Sequence, residues 1–195
     1  MFLSLKRPSV HRGALTLPEA IIVSAISMVI LVAIYGSGNG LFNSTDYSEE
    51  MSNASAIMTN ARGMLKTGGA YQFSGASDMT GALVKFGGAP GNMAVIGTKA
   101  SGSASLNNTW GGAVTVQPVS TSGGQNTAFS LTYMKVPVEA CSQMVQKLSS
   151  ANNVASTTIN GSVTSGVVSA AVAVAQCSAN SGSDGTNTIV FTSNT

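Results

Sequence analysis

Histidine is nearly missing from this chain. Of 195 residues only His11 is one, and it stands ahead of a long apolar run. If the segment before that run is removed, no imidazole remains, and a Ser-His-Asp or Cys-His catalytic device is excluded from the rest. Zinc chemistry is short of ligands for the same reason, since the only thiols are Cys141 and Cys177, far apart in sequence. Charge is scarce too: 8% of residues are Asp, Glu, Lys or Arg, against about 25% in an ordinary soluble protein. The formal charge of +2 misleads, because Lys6, Arg7 and Arg12 lie before the apolar run and without them six bases face seven acids. No basic patch suited to nucleic acid survives that loss. Adjacent carboxylates do occur at Glu49 and Glu50, but neighbours on a helix point to different faces, and a solvated helix start accounts for them better than acid-base catalysis. The chain reads as a non-enzyme with no metal and no cofactor.

Its surface must then be neutral and polar, since Gly, Ser, Thr, Asn and Ala dominate what is present. The length suits one domain with its own core plus an appended segment. No repeat of fixed period appears, so a solenoid is not expected.

The appended segment is the N-terminus. From Ala20 to Thr45 there is no charged residue, and Ala20 to Tyr35 is almost wholly apolar. As a helix those sixteen residues span roughly 24 Å, near the lower limit for a bilayer core of about 30 Å, and Leu15 to Leu17 add to it. Bases precede the segment and Asp46, Glu49 and Glu50 follow it, which keeps the short N-terminus in the cytoplasm and exports the rest. In an exported chain an even pair of cysteines reads as a disulfide, Cys141 to Cys177, two buried thiols being the alternative.

One residue fits poorly. Glu19 sits at the doorstep of the apolar run, where a carboxylate costs free energy unless it is neutralised or paired. A cleavable signal peptide, with "YGSGNG" as its cut site, does not need it. Neither does a plain signal anchor.

The stretch "RGALTLPEA" followed by apolar residues resembles the N-terminus of a type IV prepilin. In that family a prepilin peptidase removes a short basic leader just before a "(T/S)L-x-E" element, methylates the new amine and leaves Glu at the fifth mature position. Aligned on "TLPE", the cut falls between Ala14 and Leu15, with Glu19 fifth; a cut after Gly13 would leave Glu19 sixth. Either the residue before the cut or the spacing departs from the family's pattern, and the register of Glu to amine favours Ala14/Leu15. Pro18 falls in the first helical turn, where it removes no intrahelical bond. The resemblance implies a role for Glu19 and Leu15 in assembly: apolar helices packed into a filament core bury each new ammonium, and a neighbour's Glu19 can be its partner.

A second helix follows. Tyr47, Met51, Ala54, Met58, Ala61 and Leu65 recur at spacings of 4, 3, 4, 3 and 4, drawing one apolar stripe that can cover a sheet. Ser44 or Thr45 is the expected N-cap, Asp46, Glu49 and Glu50 suit the helix start, Arg62 and Lys66 its end, and Gly68-Gly69 stops it. "GSGNGLFN", 36 to 43, is a soft joint between the two helical parts.

Residues 67 to 110 read as irregular, with one or two short helical turns or strands around "ALVKF" and "MAVIG". "NNTWGG", 107 to 112, reads as a turn and resembles the Asn-x-aromatic-Gly-Gly element that introduces the sheet in type IVb pilins. "GAVTVQPV" and "TAFSLTYMKV" alternate with period two and form an expected hairpin. "PVEACSQMVQKLSS" is an expected helix with Val138, Cys141, Val145 and Leu148 on one face, and "KVPVEAC" resembles the passage that carries the first disulfide cysteine in type IVb pilins. "STTINGS", "GVVSAAVAVAQC" and "TNTIVFTSN" are β-capable, the second ambiguous for its alanines and the third suited to a central place.

The expected fold is thus α+β and type IV pilin-like: a long N-terminal helix packed on an antiparallel β-sheet, with a disulfide-bounded C-terminal region. Its parts are a leader at 1–14, an apolar helix and flexible joint at 15–43, and a globular head at 44–195. The resemblance implies a type IVb-like major pilin, a homopolymer subunit whose other partners are the prepilin peptidase, the pilus assembly machinery and a host or bacterial surface. It would pass through the inner membrane into an extracellular fibre used for attachment, cell-cell contact or mating-pair contact. A minor pilin, a secretion-system pseudopilin, or a membrane-anchored monomeric β-rich adhesin are the alternatives.

Overall fold

The computed structural model describes residues 46–121, 123–182 and 184–194. The expectations for the leader, for the apolar helix and joint, and for the caps Ser44 and Thr45 lie outside them. So do the expectations for Gly13, Ala14, Leu15 and Glu19.

Helix α1 is described over 46–65. Its stripe forms as the spacing predicts, with Ala54, Ile57, Met58, Ala61 and Leu65 buried in the core and Tyr47 and Met51 packed on its edge. Gly68 and Gly69, both at positive φ (60° and 87°), reverse the chain where a Cβ would be strained. Arg62 donates to the Asn194 carbonyl at 3.0 Å and to its side-chain oxygen, tying α1 to the end of the last strand.

One antiparallel sheet of seven strands carries the rest of the core. The strands are β1 (Ala94–Ile96), β2 (Ser105–Asn107), β3 (Ala113–Val119), β4 (Ala128–Val136), β5 (Val154–Ile159), β6 (Ser162–Ser165) and β7 (Asn187–Ser193), in the order β1-β2-β3-β4-β7-β5-β6. The predicted hairpin is β3–β4, with Val114 opposite Tyr133 and Val116 opposite Leu131. β7, expected to be central, lies between β4 and β5 and aligns Phe191 with Leu131 on one side and Thr157 on the other. Alternation sends Val114, Val116, Leu131, Tyr133, Ile189 and Phe191 to the buried face. Each such side chain stabilises the fold by about 1.5–3 kcal/mol on burial. Thr115, Thr132, Val190, Thr192 and Thr158 occupy the other face, only partly covered and without charge, as the composition requires.

Two segments differ from their sequence reading. Between 67 and 110 lies a full helix, α2 (Ala76–Lys85), together with β1, β2 and a 3₁₀ turn at Lys99–Ser101. Glycines on both sides and Gly81 within hide its pattern, yet Met79, Leu83 and Val84 are buried and Asp78 accepts from the Ser74 N–H at 3.0 Å. Gly81 is there for contact: a Cβ on it would overlap the Gly102 carbonyl. The second is "GVVSAAVAVAQC", where residues Ala170–Gln176 form a helix, α4, whose N-cap Ser169 accepts from the Val172 N–H. High alanine content, which left strand and helix open, favours the helix once a cap is available.

Helix α3 (Val138–Ser149) starts at Pro137 as expected and buries Cys141, Val145 and Leu148, with Met144 beside them. Among the described residues no helix is long and apolar enough to cross a membrane.

Candidate functional site

Of the predicted site residues, Cys141 and Cys177 lie in the described part, and they are joined. The disulfide links α3 to the residue after α4, joining Cα atoms 6.0 Å apart from residues separated by 36 positions in sequence. It encloses β5, β6 and α4, a region held at its base by Asn187, which is fully buried on β7. The Asn187 amide donates to the Val136 and Ser178 carbonyls, both at 2.9 Å, and its oxygen accepts from the Ser178 N–H at 2.6 Å and from Asn160 at 2.8 Å. One side chain thus satisfies four partners from three parts of the chain. Nothing in the local sequence marked it.

The "NNTWGG" turn is built around Asn108. Its side-chain oxygen accepts from the N–H groups of Trp110 (3.1 Å) and Gly112 (2.8 Å), and its amide donates to the Met134 carbonyl at 2.7 Å. Gly111 takes φ 72°, and a Cβ on Gly112 would overlap the Met134 carbonyl. The motif therefore demands glycine for two separate reasons, conformation at the first and close approach of β4 at the second. Gly112→Ala is expected to lower unfolding free energy by at least ~3 kcal/mol, because backbone cannot yield as a flexible side chain does; chemical denaturation measures it, and a loss below ~1 kcal/mol would show that the turn relaxes.

Glu50 overturns its sequence reading. It is 2% exposed, not part of a solvated helix start. Its Oε1 accepts from the Thr109 N–H at 2.7 Å and Oε2 from the Asn53 amide at 3.5 Å, with the Tyr133 hydroxyl also against the carboxylate, so a carboxylate on α1 anchors the turn that introduces the sheet. The signal was present: Glu50 stands three after Tyr47 and four before Ala54, on the apolar stripe, whereas Glu49 is exposed. Burial, with a smaller push from the Glu49 charge, raises the Glu50 pKa above its ordinary value near 4.5, against the lowering effect of the Thr109, Asn53 and Tyr133 hydrogen bonds. Burial, and then the Glu50 charge, push the Tyr133 hydroxyl well up. That hydroxyl is buried, and the group it meets is the Glu50 carboxylate, at less than ideal hydrogen-bond geometry.

A carboxyl whose folded pKa is raised keeps its proton to higher pH than the unfolded chain does. The stability this contributes is full below about 4.5 and is lost as pH rises through the folded value. Glu50→Gln keeps an acceptor for Thr109 and does not titrate, so it should gain on wild type as pH is raised from 4 to 7. Glu50→Ala should instead lose ~1–3 kcal/mol at every pH, leaving the Thr109 N–H without its acceptor. Parallel wild-type and Gln stability profiles against pH would mean that Glu50 does not titrate within this range.

Among the described residues no cluster of His, Cys, Asp and Glu is able to hold a metal ion. What the surface does offer is apolar side chains at both edges of the sheet, Ile96 on β1 and Val163 on β6, with Val167 and Val174 also exposed.

The PilS family model, described as PilS N terminal, matches residues 44–194. The chain is 38% identical to a type IVb pilin from Salmonella typhi known from a crystal structure, with a TM-score of 0.66 over 74% of this chain and 97% of that one. A solution structure of type IVb pilin (PilS) from the same organism is 36% identical, with a TM-score of 0.52 over 75% of this chain and 95% of that one. No match was found among curated proteins. A buried stripe on α1, a seven-stranded antiparallel sheet, a disulfide-bounded C-terminal region and the match over 44–194 together place this chain in the PilS family of type IVb pilins, a family of pilus subunits.

Proposed function

We propose that this chain is the major subunit of a type IV pilus. The prepilin enters the inner membrane through residues 15–35, a prepilin peptidase removes the leader at Ala14/Leu15 or Gly13/Ala14, and the new amine is methylated. The apolar helices then pack into a filament core, where Glu19 of one subunit pairs with the amine of its neighbour. The assembled fibre leaves the cell for attachment to host or bacterial surfaces, for cell-cell contact or for mating-pair contact. One observation carries the reading: a "TLPE" element before an uncharged apolar run stands ahead of a head that matches a pilin family over 44–194. Ile96 and Val163, exposed at opposite edges of the sheet, support head-to-head contacts in a polymer.

The test is mass spectrometry and N-terminal sequencing of filaments sheared from cells. An N-methylated chain beginning at Leu15 or Ala14, present as the dominant protein, is the expected result. A start near Asn39 or an intact Met1 would overturn processing as a prepilin, and trace stoichiometry would make this a minor subunit.

A further inference from the structure

Asn160 and Gly161 are the whole connection between β5 and β6: Ile159 pairs with Ser162, and the residues between them take φ 49° and 90°. Positive φ at both central positions is the I′ turn, which asparagine followed by glycine fits well. The same pair is chemically labile. The backbone nitrogen after an asparagine can attack the side-chain carbonyl carbon, and glycine hinders that attack least because it has no Cβ. A Cβ on Gly161 would meet nothing within 4 Å, and Asn160 is exposed, so water reaches the turn.

What holds the reaction back is the placement of the Asn160 amide. Its Nδ2 donates to the Asn187 oxygen at 2.8 Å, the Gln176 carbonyl at 2.9 Å and Ser178 Oγ at 3.3 Å, while its Oδ1 accepts from the Thr188 N–H at 2.9 Å. Attack requires the reacting atoms to be aligned at close range, so the side chain must turn back onto its own backbone, and each of these contacts holds it toward another segment. Gln176 and Ser178 are the two neighbours of Cys177, which the bridge to Cys141 fixes to α3. Asn187 is itself oriented by the Ser178 N–H and carbonyl. The lock on Asn160 thus hangs on the disulfide.

We propose that Asn160 is a self-modification site gated by the Cys141–Cys177 bridge: closed, the bridge holds the amide in place, and once it is open Asn160 deamidates. The Gly161 nitrogen gives up its proton and bonds to Cγ of Asn160, the Cγ–Nδ2 bond breaks and ammonia leaves; one water then opens the resulting succinimide to aspartate or isoaspartate. The product does not fit the lock again, because a carboxylate has no donor for the Gln176 carbonyl or the Asn187 oxygen. Asn187 cannot turn round to help without giving up its bonds to the Val136 and Ser178 carbonyls. A head that loses the bridge, or never closes it, is thereby marked irreversibly.

The test incubates the full-length chain, held in detergent at mildly alkaline pH, with the bridge intact, with the bridge reduced, and as the Cys141→Ala/Cys177→Ala double variant. Peptide mapping by mass spectrometry follows each asparagine with time. Conversion at Asn160 should be at least about tenfold faster in the reduced chain and the double variant than in the bridged chain, since the rate follows the population of the open form. Asn39, the other asparagine followed by glycine, should keep one rate throughout, and β3 and β4 should stay protected from hydrogen exchange in the same samples. Asn160→Asp, made with the bridge intact, should unfold at a lower denaturant concentration than wild type. Equal Asn160 rates with and without the bridge would overturn the gate, as would loss of protection in β3 and β4 as fast as Asn160 converts, which would assign the reaction to global unfolding. Acceleration of Asn39 by the same factor would likewise overturn it, and an Asn160 that fails to convert even in the urea-unfolded chain, while Asn39 does, would remove the site. An Asn160→Asp midpoint equal to that of wild type would refute the irreversible mark.

Discussion

Glu19→Ala is expected to leave leader removal and membrane insertion near wild-type levels while the yield of sheared filaments falls at least about tenfold. The ground is electrostatic. A new terminal ammonium drawn into a core of apolar helices loses its hydration, and the effective cost is several kcal/mol per ion unless an opposite charge accompanies it. Every 1.4 kcal/mol lost from a docking step is about a tenfold change in its equilibrium, so a missing partner is amplified into failed growth. Glu19 is the only carboxylate between the N-terminus and Asp46, and no nearby residue can replace it. Glu19→Gln distinguishes charge from hydrogen bonding: it should fail nearly as badly. Wild-type filament yield from either variant, with processing confirmed by mass, would refute the pairing.

The disulfide should have the second largest effect. Cys141 and Cys177 are 36 positions apart, and in the chain-entropy model closing a loop of that length stabilises the folded state by about 4 kcal/mol. Typical domains have only about 5–15 kcal/mol in total. Cys141→Ala, Cys177→Ala and the double variant should therefore lose similar amounts, since either single change opens the whole loop. β5, β6 and α4 should gain hydrogen-exchange rate more than β3 and β4 do, because the bridge and Asn187 together hold that region. Native protein should resist thiol labelling until reduced; stoichiometric labelling without reductant, or a double-variant loss twice that of the singles, would contradict this account.

The polypeptide chemistry alone settled a good deal here. Residue supply excluded a histidine-based catalytic device after His11, where no imidazole follows, and a base-rich surface for nucleic acid. The hairpin β3–β4, helix α3, the stripe on α1 and the interior strand β7 were legible because burial imposes a period of 2 or 3.6 on nearby residues, a constraint that acts locally. α2 was not legible, because Gly81 interrupts its pattern for the sake of contact with Gly102. α4 was ambiguous because alanine packs in either state until Ser169 caps it. The partners were decided only by the tertiary structure: Thr109 lies 59 positions from the carboxylate it meets, and Val136 lies 51 from the amide that binds it. Which strand lies between β4 and β5 is a choice among long-range pairings. Periodicity says which side of a segment turns inward, but what it meets there depends on the order in which seven strands assemble, and that order is carried by no single stretch of the chain.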